Sequence, residues 1–545
     1  MRVFTAQINP IVGDLDGNTE KILKAIQRAK KAKADVVLFP ELTLCGYPPE
    51  DLLFSPLFVQ TMHEKLLLIQ KETEGLFVVV GLARKNPLEK EKALYNSAAI
   101  LCDGKLLGYK DKTLLPTYDI FDERRYFEPG EGQKVFEYKG KRIGILICED
   151  MWQHGGGVLF TNYLRDPVLE IKEQNPDLLL NMSASPYYFA KRDFREYVFA
   201  PCAKTLDCPI IWCNQVGAND SLVFDGFSLY MDKNGHLLQS AKGFEEDDMI
   251  TDLEKEICST SFPYDPLGDL YHTLILGIKD YFRKQGFKKA IIGSSGGVDS
   301  AAVICLAVAA LGKENVLTVA MPSKYSSESS ITDAKKLAEN LDVEMITIPI
   351  NEPFQEFKDL LNPFFEGKKE DVTEENMQAR IRGIIIMALS NKFGHIVLST
   401  GNKSEMALGY STLYGDMCGG LGVINDVKKT LLYDLCRWIN EFREGPIPEN
   451  ILTKAPSAEL RPDQKDLDSL PEYDIVDTVL EEYVENCLSV EKIHEKHGIE
   501  KALVQDLVHR IHLAEYKRRQ AAPGIRVSKR SFSKGRIFPI VQRWN

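Results

Sequence analysis

Residues Lys288 to Gly312 read KKAIIGSSGGVDSAAVICLAVAALG. A short apolar run (Ala290, Ile291, Ile292) gives way to Gly293, Ser294, Ser295, Gly296 and Gly297, and a long apolar segment of helical composition follows. That order spells strand, tight loop, helix. Glycines let a backbone approach a ligand closely, and successive N–H groups at the mouth of a helix attract phosphate oxygens. Asp299, in the first turn, either complements the helix dipole or holds a magnesium ion that bridges phosphates. No Lys-Ser/Thr pair follows the glycines, so this is not the P-loop of kinases and ATPases. A Gly-Ser turn packed between strand and helix is the plain structural alternative.

The same alternation continues outward. VLTVAMP, VEMITIPI and HIVLST read as strands; SSITDAKKLAENL and EENMQARIRGIIIMALSNKF read as the helices between them. Strands alternating with helices imply a parallel sheet with right-handed crossovers, and loops after its strands share one ligand site. The stretch VLSTGNKSEMALGYSTLYGDMCGGLGVINDVKKTLLYDL brings Thr400, Glu405, Asp416 and Lys429 towards that edge. Carboxylates and hydroxyls suit magnesium and a lysine suits triphosphate, although helix caps in a polar loop explain any one of them as well.

The first half of the chain is strand-dense. Strands are expected at 2–8, 35–39, 76–82, 95–101 and 142–148, with a helix near 17–33, which favours a layered α/β fold. Glu41 follows the strand DVVLFP, Lys112 lies in YKDKTLLPTYDIFDERRYF, and Cys148 ends RIGILIC. A cysteine at a strand end is ordinarily a small core residue, and a lone Glu or Lys in a loop is ordinarily solvated. Sites in α/β folds nevertheless gather past the carboxyl ends of buried strands. A base, an ammonium and a thiol meeting there make a nucleophile with oxyanion support.

Composition bounds the remainder. A chain of 545 residues exceeds one core and suggests about two to four domains. A net charge of −12 argues against general affinity for nucleic acid. No targeting signal or membrane-length apolar run is visible, and the cysteines, many within apolar strands and none in a CxxC pair, read as reduced thiols of a cytoplasmic protein without structural zinc. The acidic, then Pro-rich stretch GFEEDDMITDLEKEICSTSFPYDPLG marks a boundary: one domain at 1–250, a connector at 251–268 and a second domain at 269–545. The basic run from Lys517 to Arg536 suggests a solvated or substrate-phosphate role before a nucleic-acid one.

FPELTLCGYPPEDLL, the Lys112 loop and GILICEDMW together resemble the three blocks of the nitrilase, or carbon-nitrogen hydrolase, family. The resemblance implies an αββα sandwich over the first domain, with Glu41 as general base, Lys112 as oxyanion support and Cys148 as the nucleophile that forms a thioester and releases ammonia. It also suggests Glu123 as a further acid and the backbone N–H of Glu149 as an oxyanion donor. Tyr118, Glu149, Ser185 and Lys191 become candidates for gripping glutamine, with ordinary loop polarity as their alternative.

SGGVDS resembles the pyrophosphatase loop of the ATP-pyrophosphatase enzymes. With ENMQARIRG, STGNKSE, YGDMCGG, the Lys429 segment and APSAELRPDQKDLDSLPEYDIVD, the second half resembles the NAD synthetases, and with the amidase-like first half the chain is similar to the glutamine-dependent NAD synthetase family. The resemblance implies a Rossmann-like parallel-sheet ATP-pyrophosphatase domain. Ser294, Gly296, Gly297, Asp299 and Ser300 would cradle ATP phosphates, and Thr400 would touch its adenosine. Asn376 and Arg380 would touch deamido-NAD, with Asp416 and Lys429 at the reacting centre. Asp299, Glu405 and Ser457 would bind Mg2+. GNKSE is shorter than the corresponding loop of ammonia-only synthetases, which bears on the register of Glu405. The implied reaction is adenylation of the deamido-NAD carboxylate by ATP, then displacement of AMP by ammonia drawn from glutamine through a protected passage, in a homo-oligomer. Two rivals are an adenylating amidotransferase for another carboxylate, to which deamido-NAD would be inert, and a non-catalytic binding protein, which would need a damaged key position.

Overall fold

The computed structural model describes residues 1–88, 91–157, 161–257, 264–462 and 464–544. Two compact units, Met1–Tyr264 and Asp265–Asn545, divide the chain. The connector expected at 251–268 lies partly outside the described residues, at 258–263, while the strand Asp247–Asp252 and the helix Pro266–Gln285 run into it from either side.

The first unit is built on two six-stranded sheets. One runs, in spatial order, Asp247–Asp252, Arg2–Gln7, Val36–Leu38, Phe77–Lys85, Leu94–Cys102 and Lys105–Asp111. The other runs Leu237–Ser240, Leu229–Met231, Ile210–Asn214, Leu178–Ser183, Lys141–Ile147 and Val135–Tyr138. The two-residue period of strands decides how they stack. Val36, Leu38, Phe77, Val79, Ala98 and Ile100 share one buried cluster with Ile143, Ile145, Ile147, Leu180 and Met182, so these faces meet sheet to sheet. The alternate residues Val37, Val78, Val80 and Ala99 pack instead with Ile22, Ala25, Ile26 and Ala29, one stripe of the helix Leu15–Lys31. On the far side, Leu146, Leu179 and Trp212 pack with Val198, Phe199, Cys202 and Leu206 of the helix Lys191–Leu206. Three apolar interfaces between four layers make an αββα sandwich.

The second unit carries a five-stranded sheet in the order Glu344–Thr347, Val316–Ala320, Ala290–Gly293, Ile396–Ser399, Leu421–Gly422. Every neighbouring pair is parallel. Chain progress runs outward from Ala290–Gly293 in one direction and then resumes on its other side at Ile396–Ser399. That reversal is a topological switch point, which opens a crevice at the carboxyl ends of the two strands. The helix Val298–Leu311 is buried nearly all round, as its Ala- and Val-rich composition demands. C-terminal helices, among them Tyr473–Val479 and Lys501–Leu513, form a separate apolar cluster with Ala407.

The basic C-terminal run is not a solvated arm. Arg518 and Arg536 are buried and converge on Glu515 at 2.8 and 3.2 Å, and Arg518 also donates to the carbonyls of Met406 and Ala407. Between them the chain hooks the sheet edge: the Gly422 N–H donates to the Pro523 carbonyl, and Asp426 accepts from the N–H groups of Val527 and Ser528. Lys403, fully buried, lies 2.8 Å from Glu485 and 3.2 Å from Asp426, and donates to Ser528 Oγ at 2.6 Å. Lys403→Met is therefore expected to lower stability by about 3–5 kcal/mol, because it strands two buried carboxylates; urea denaturation read by tryptophan fluorescence measures the loss.

Candidate functional site

In the first unit the site forms where strands end. Glu41 follows Val36–Leu38 in a turn laid against Phe77–Lys85, at a point where only glycine fits: a Cβ on Gly81 would come within 2.6 Å of the Pro40 carbonyl oxygen and 2.4 Å of the Leu42 nitrogen. Lys112 leaves the end of Lys105–Asp111 and donates to Glu41 Oε1 and Glu123 Oε1, each at 2.7 Å. All three side chains are buried. Burial opposes the lysine's charge, but Glu123 and Glu41 outweigh it and hold the ammonium firmly protonated. Glu123 is pushed up to about 7 by burial, against Lys112 and with Glu41. Asn96 and the Ala184 N–H also donate to Glu41, and Tyr47 donates to Glu123.

Cys148 stands at a sharp elbow between Lys141–Ile147 and the short helix Glu149–Trp152, with φ of +43° and ψ of −101°. A β-carbon in that region is strained, and such strain collects at functional positions. Burial first, then Glu41, pushes the thiol up, with Lys112 pulling the other way. The thiol is therefore protonated at rest and needs a base. Glu149 accepts from Tyr118 at 2.7 Å and from Tyr163 at 3.1 Å. Lys191 donates to Ser185 Oγ at 2.8 Å and to the Pro186 carbonyl, 5.0 Å above the Trp152 ring. The four candidates for gripping a substrate thus fall into two bonded pairs, Tyr118–Glu149 and Ser185–Lys191.

In the second unit the Ser294–Gly297 loop leaves the switch point. Gly296 has φ of +77°, and a Cβ there would sit 2.1 Å from the Ser330 carbonyl oxygen, so glycine is required twice over. The N–H of Ser294 is spent on the Val319 carbonyl, which leaves its hydroxyl as the group able to meet a ligand. Ser300 Oγ accepts from the Ser295 N–H and donates to the Gly297 carbonyl, which locks the loop onto the helix. Across the crevice Asn402, in a capping box with Glu405, donates to Asp299 Oδ1 at 2.7 Å. Lys429 reaches Asp299 Oδ2 at 2.5 Å and Glu405 Oε1 at 3.4 Å. Burial and the Asp299 carboxylate push Glu405 upward, which Lys429 opposes.

A second constellation lies on the helix Val372–Phe393. Asn376 accepts from Thr412 Oγ1 at 2.7 Å, Arg380 donates to the Leu413 carbonyl, and the Thr412 N–H donates to Asp416 Oδ1 at 2.7 Å. Asp416 lines a small cleft with Ser399 and Gly401, the neighbours of Thr400. Asn376 and Arg380, from the helix, therefore meet the Thr412–Asp416 loop, whereas Lys429 sits with the acid pair. The Ser457 hydroxyl donates to the Gln464 carbonyl and accepts from the Glu459 N–H. Among the described residues no cluster of three or more His, Cys, Asp or Glu side chains is arranged to hold a metal by itself. Asp299 and Glu405 suit an ion that takes most of its ligands from phosphate and water.

Sequence reading missed Asn96, Tyr47, Tyr163, Asp150 and Asn402. Only Asn402 carries a local signal, the Asn-x-x-Glu capping spacing. Glu123→Gln would keep a partner for Lys112 while removing a charge from this buried network.

Residues 2–260 match the Carbon-nitrogen hydrolase family model and residues 270–521 match the NAD synthase model. These matches and the two-unit fold define a carbon-nitrogen hydrolase joined in one chain to an NAD synthase. The glutamine-dependent NAD(+) synthetase of Synechocystis sp. is 43% identical across 100% of this chain and 99% of its own length, and that of Thermotoga maritima is 40% identical over 100% and 99%. The chain belongs to the glutamine-dependent NAD(+) synthetase family. A solved structure of the Acinetobacter baumannii glutamine-dependent NAD+ synthetase in complex with ADP covers 100% of the chain, and the chain 99% of it, at 38% identity and a TM-score of 0.79. The fold is also that of a Cytophaga hutchinsonii glutamine-dependent NAD(+) synthetase, with a TM-score of 0.85 at 22% identity over 99% of this chain and 98% of that one.

Proposed function

We propose that the Glu41–Lys112–Cys148 centre hydrolyses glutamine and that the Asp299 centre activates deamido-NAD with ATP. The enzyme is a ligase that amidates deamido-NAD to NAD and releases AMP, pyrophosphate and glutamate. What carries the assignment of roles is the buried lysine clamped between Glu41 and Glu123 beside a thiol at a strained elbow. As the sulfur of Cys148 attacks the glutamine amide carbon, Glu41 takes the thiol proton. The oxyanion rests against the Lys112 ammonium and the Glu149 N–H. Collapse passes the proton to the leaving nitrogen and frees ammonia, and water, deprotonated by Glu41, then releases glutamate from the thioester. Tyr118, Glu149, Ser185 and Lys191 hold the amino acid's α-amino and carboxylate groups.

In the second unit the nicotinate carboxylate attacks the α-phosphorus of ATP and pyrophosphate leaves. Ser294, Gly296, Gly297 and Ser300 hold the phosphates and Thr400 the adenosine. The relative's complex with ADP supports an adenine-nucleotide site here. Asn376, Arg380 and Asp416 hold deamido-NAD, and Lys429 faces the reacting groups. Asp299 and Glu405 would hold Mg2+, which would supply positive charge to offset that building on the departing pyrophosphate. Ammonia then adds to the acyl-adenylate carbonyl and AMP leaves; because ammonium predominates near neutral pH, delivery away from bulk water keeps the nitrogen nucleophilic. Residues 1–250 act as glutaminase, 251–268 as connector and 269–545 as synthetase, in a cytoplasmic homo-oligomer. Among the described residues no helix is long and apolar enough to cross a membrane.

The test is product analysis with ATP, Mg2+, deamido-NAD and glutamine, following NAD, AMP, pyrophosphate and glutamate together. All four appearing in step is expected. Glutamate without NAD or AMP would send the second unit in search of another carboxylate.

A further inference from the structure

Asp150 takes no part in the chemistry above, yet it is wholly buried beside it. Its Oδ1 accepts from the N–H groups of Thr113 and Leu114, at 3.0 and 2.8 Å. Its Oδ2 accepts from the Ile147 N–H at 3.2 Å and faces Lys110 Nζ at 3.5 Å. Thr113 and Leu114 directly follow Lys112 in a stretch without regular structure, and Ile147 directly precedes Cys148. One carboxylate therefore fastens the backbone that carries the lysine to the backbone that carries the nucleophile. Those two backbones belong to different sheets, Lys105–Asp111 in one and Lys141–Ile147 in the other. Apolar packing between sheet faces tolerates small sliding, whereas four directed donors on one buried acceptor do not.

We propose that Asp150 is the positioning residue that sets the register of Lys112 against Cys148, so that the ammonium lies where the oxyanion forms. The inference rests on the reading of Cys148 and Lys112 as glutaminase groups. Asparagine keeps the shape and one acceptor oxygen. Its amide nitrogen, however, must face either the Thr113 and Leu114 N–H groups or the Ile147 N–H and the Lys110 ammonium, donors in both cases. The join is broken on one side without emptying the space.

The experiment measures Asp150→Asn in the full chain. Glutamine-supported kcat is expected to fall about 10²-fold, the cost of displacing a catalytic group by about 1 Å, with KM for glutamine within about threefold. Ammonia-supported synthesis by the same preparation stays within about twofold and shows that the second unit is intact. Alkylation of Cys148 by iodoacetamide across pH reports the thiol directly: its rate should remain within about threefold, since Glu41 and Lys112 are still present, while turnover collapses. Unchanged kcat overturns the proposal, as does a loss carried entirely by KM. Should the variant fold poorly, hydrogen exchange of the unsubstituted enzyme decides. Thr113 and Leu114 amides exchanging as slowly as those of the neighbouring strands support the join; exchange at the rate of exposed loops overturns it. Cys148→Ala tests the underlying assignment separately, since its failure would leave the Thr113 and Leu114 protection in place.

Discussion

Cys148→Ala is expected to abolish glutamine-supported NAD synthesis while ammonia-supported synthesis continues within about twofold of the unsubstituted rate. Removing the attacking atom of a covalent hydrolase costs about 10⁴-fold or more in turnover, and no neighbouring group replaces it. Among the described residues the Glu41–Lys112–Glu123 network offers carboxylates, an ammonium and a hydroxyl, and no other thiol is hydrogen-bonded to it. Folding should survive. Alanine inherits the positive φ of +43° at no greater cost than cysteine, and it removes one sulfur from a well-filled cluster between the sheets. The measurement is NAD formation with either nitrogen donor, with glutamate release alongside. Loss of both routes in a folded variant would refute the division of labour, because ammonia needs no thiol to reach an acyl-adenylate.

How much of this was legible beforehand follows from the range of the interactions. Strand, loop and helix around Ser294–Gly297 are local, so spacing alone located the glycine turn and the parallel sheet. The αββα layering could be read only through resemblance, since strand alternation says that a face is buried but not against what. Glu41, Lys112 and Cys148 were visible as residue types past strand ends. Their convergence was not, because it depends on pairings across 71 residues for Lys112 and Glu41. Asn402 and Asp299 are separated by 103 residues, and Asp150 reads in sequence as one more acid after a cysteine. The basic tail misled in the opposite sense. Charge density suggests solvation, yet Arg518 and Arg536 are buried against Glu515 and backbone carbonyls, an arrangement that only a tertiary partner can supply.

Asp299→Ala is expected to slow synthesis from glutamine and from ammonia alike by about 10²–10³-fold, since both donors wait on the same adenylate. The figure is what loss of one preorganised charge at a developing transition state costs, about 2.7–4 kcal/mol. The alternative role, a first-turn acid complementing the helix dipole, predicts something else: about 0.3–1 kcal/mol of stability and an unchanged rate. Asp299→Asn separates the two further. Asparagine keeps a carbonyl oxygen for Asn402 but gives Lys429 no counter-charge and gives a cation only a weak ligand. A carboxylate that serves the metal should therefore be nearly as costly to replace by asparagine as by alanine, with part of the rate returning as Mg2+ is raised. In the resting enzyme Lys429 fills the space between Asp299 and Glu405, so the cation must compete with an ammonium already held at 2.5 Å. Removing Asp299 weakens the hold on both. If turnover at saturating ATP and Mg2+ is undiminished in either variant, Asp299 does not hold the metal, and Glu405 with Lys429 must carry the charge balance of the phosphate site.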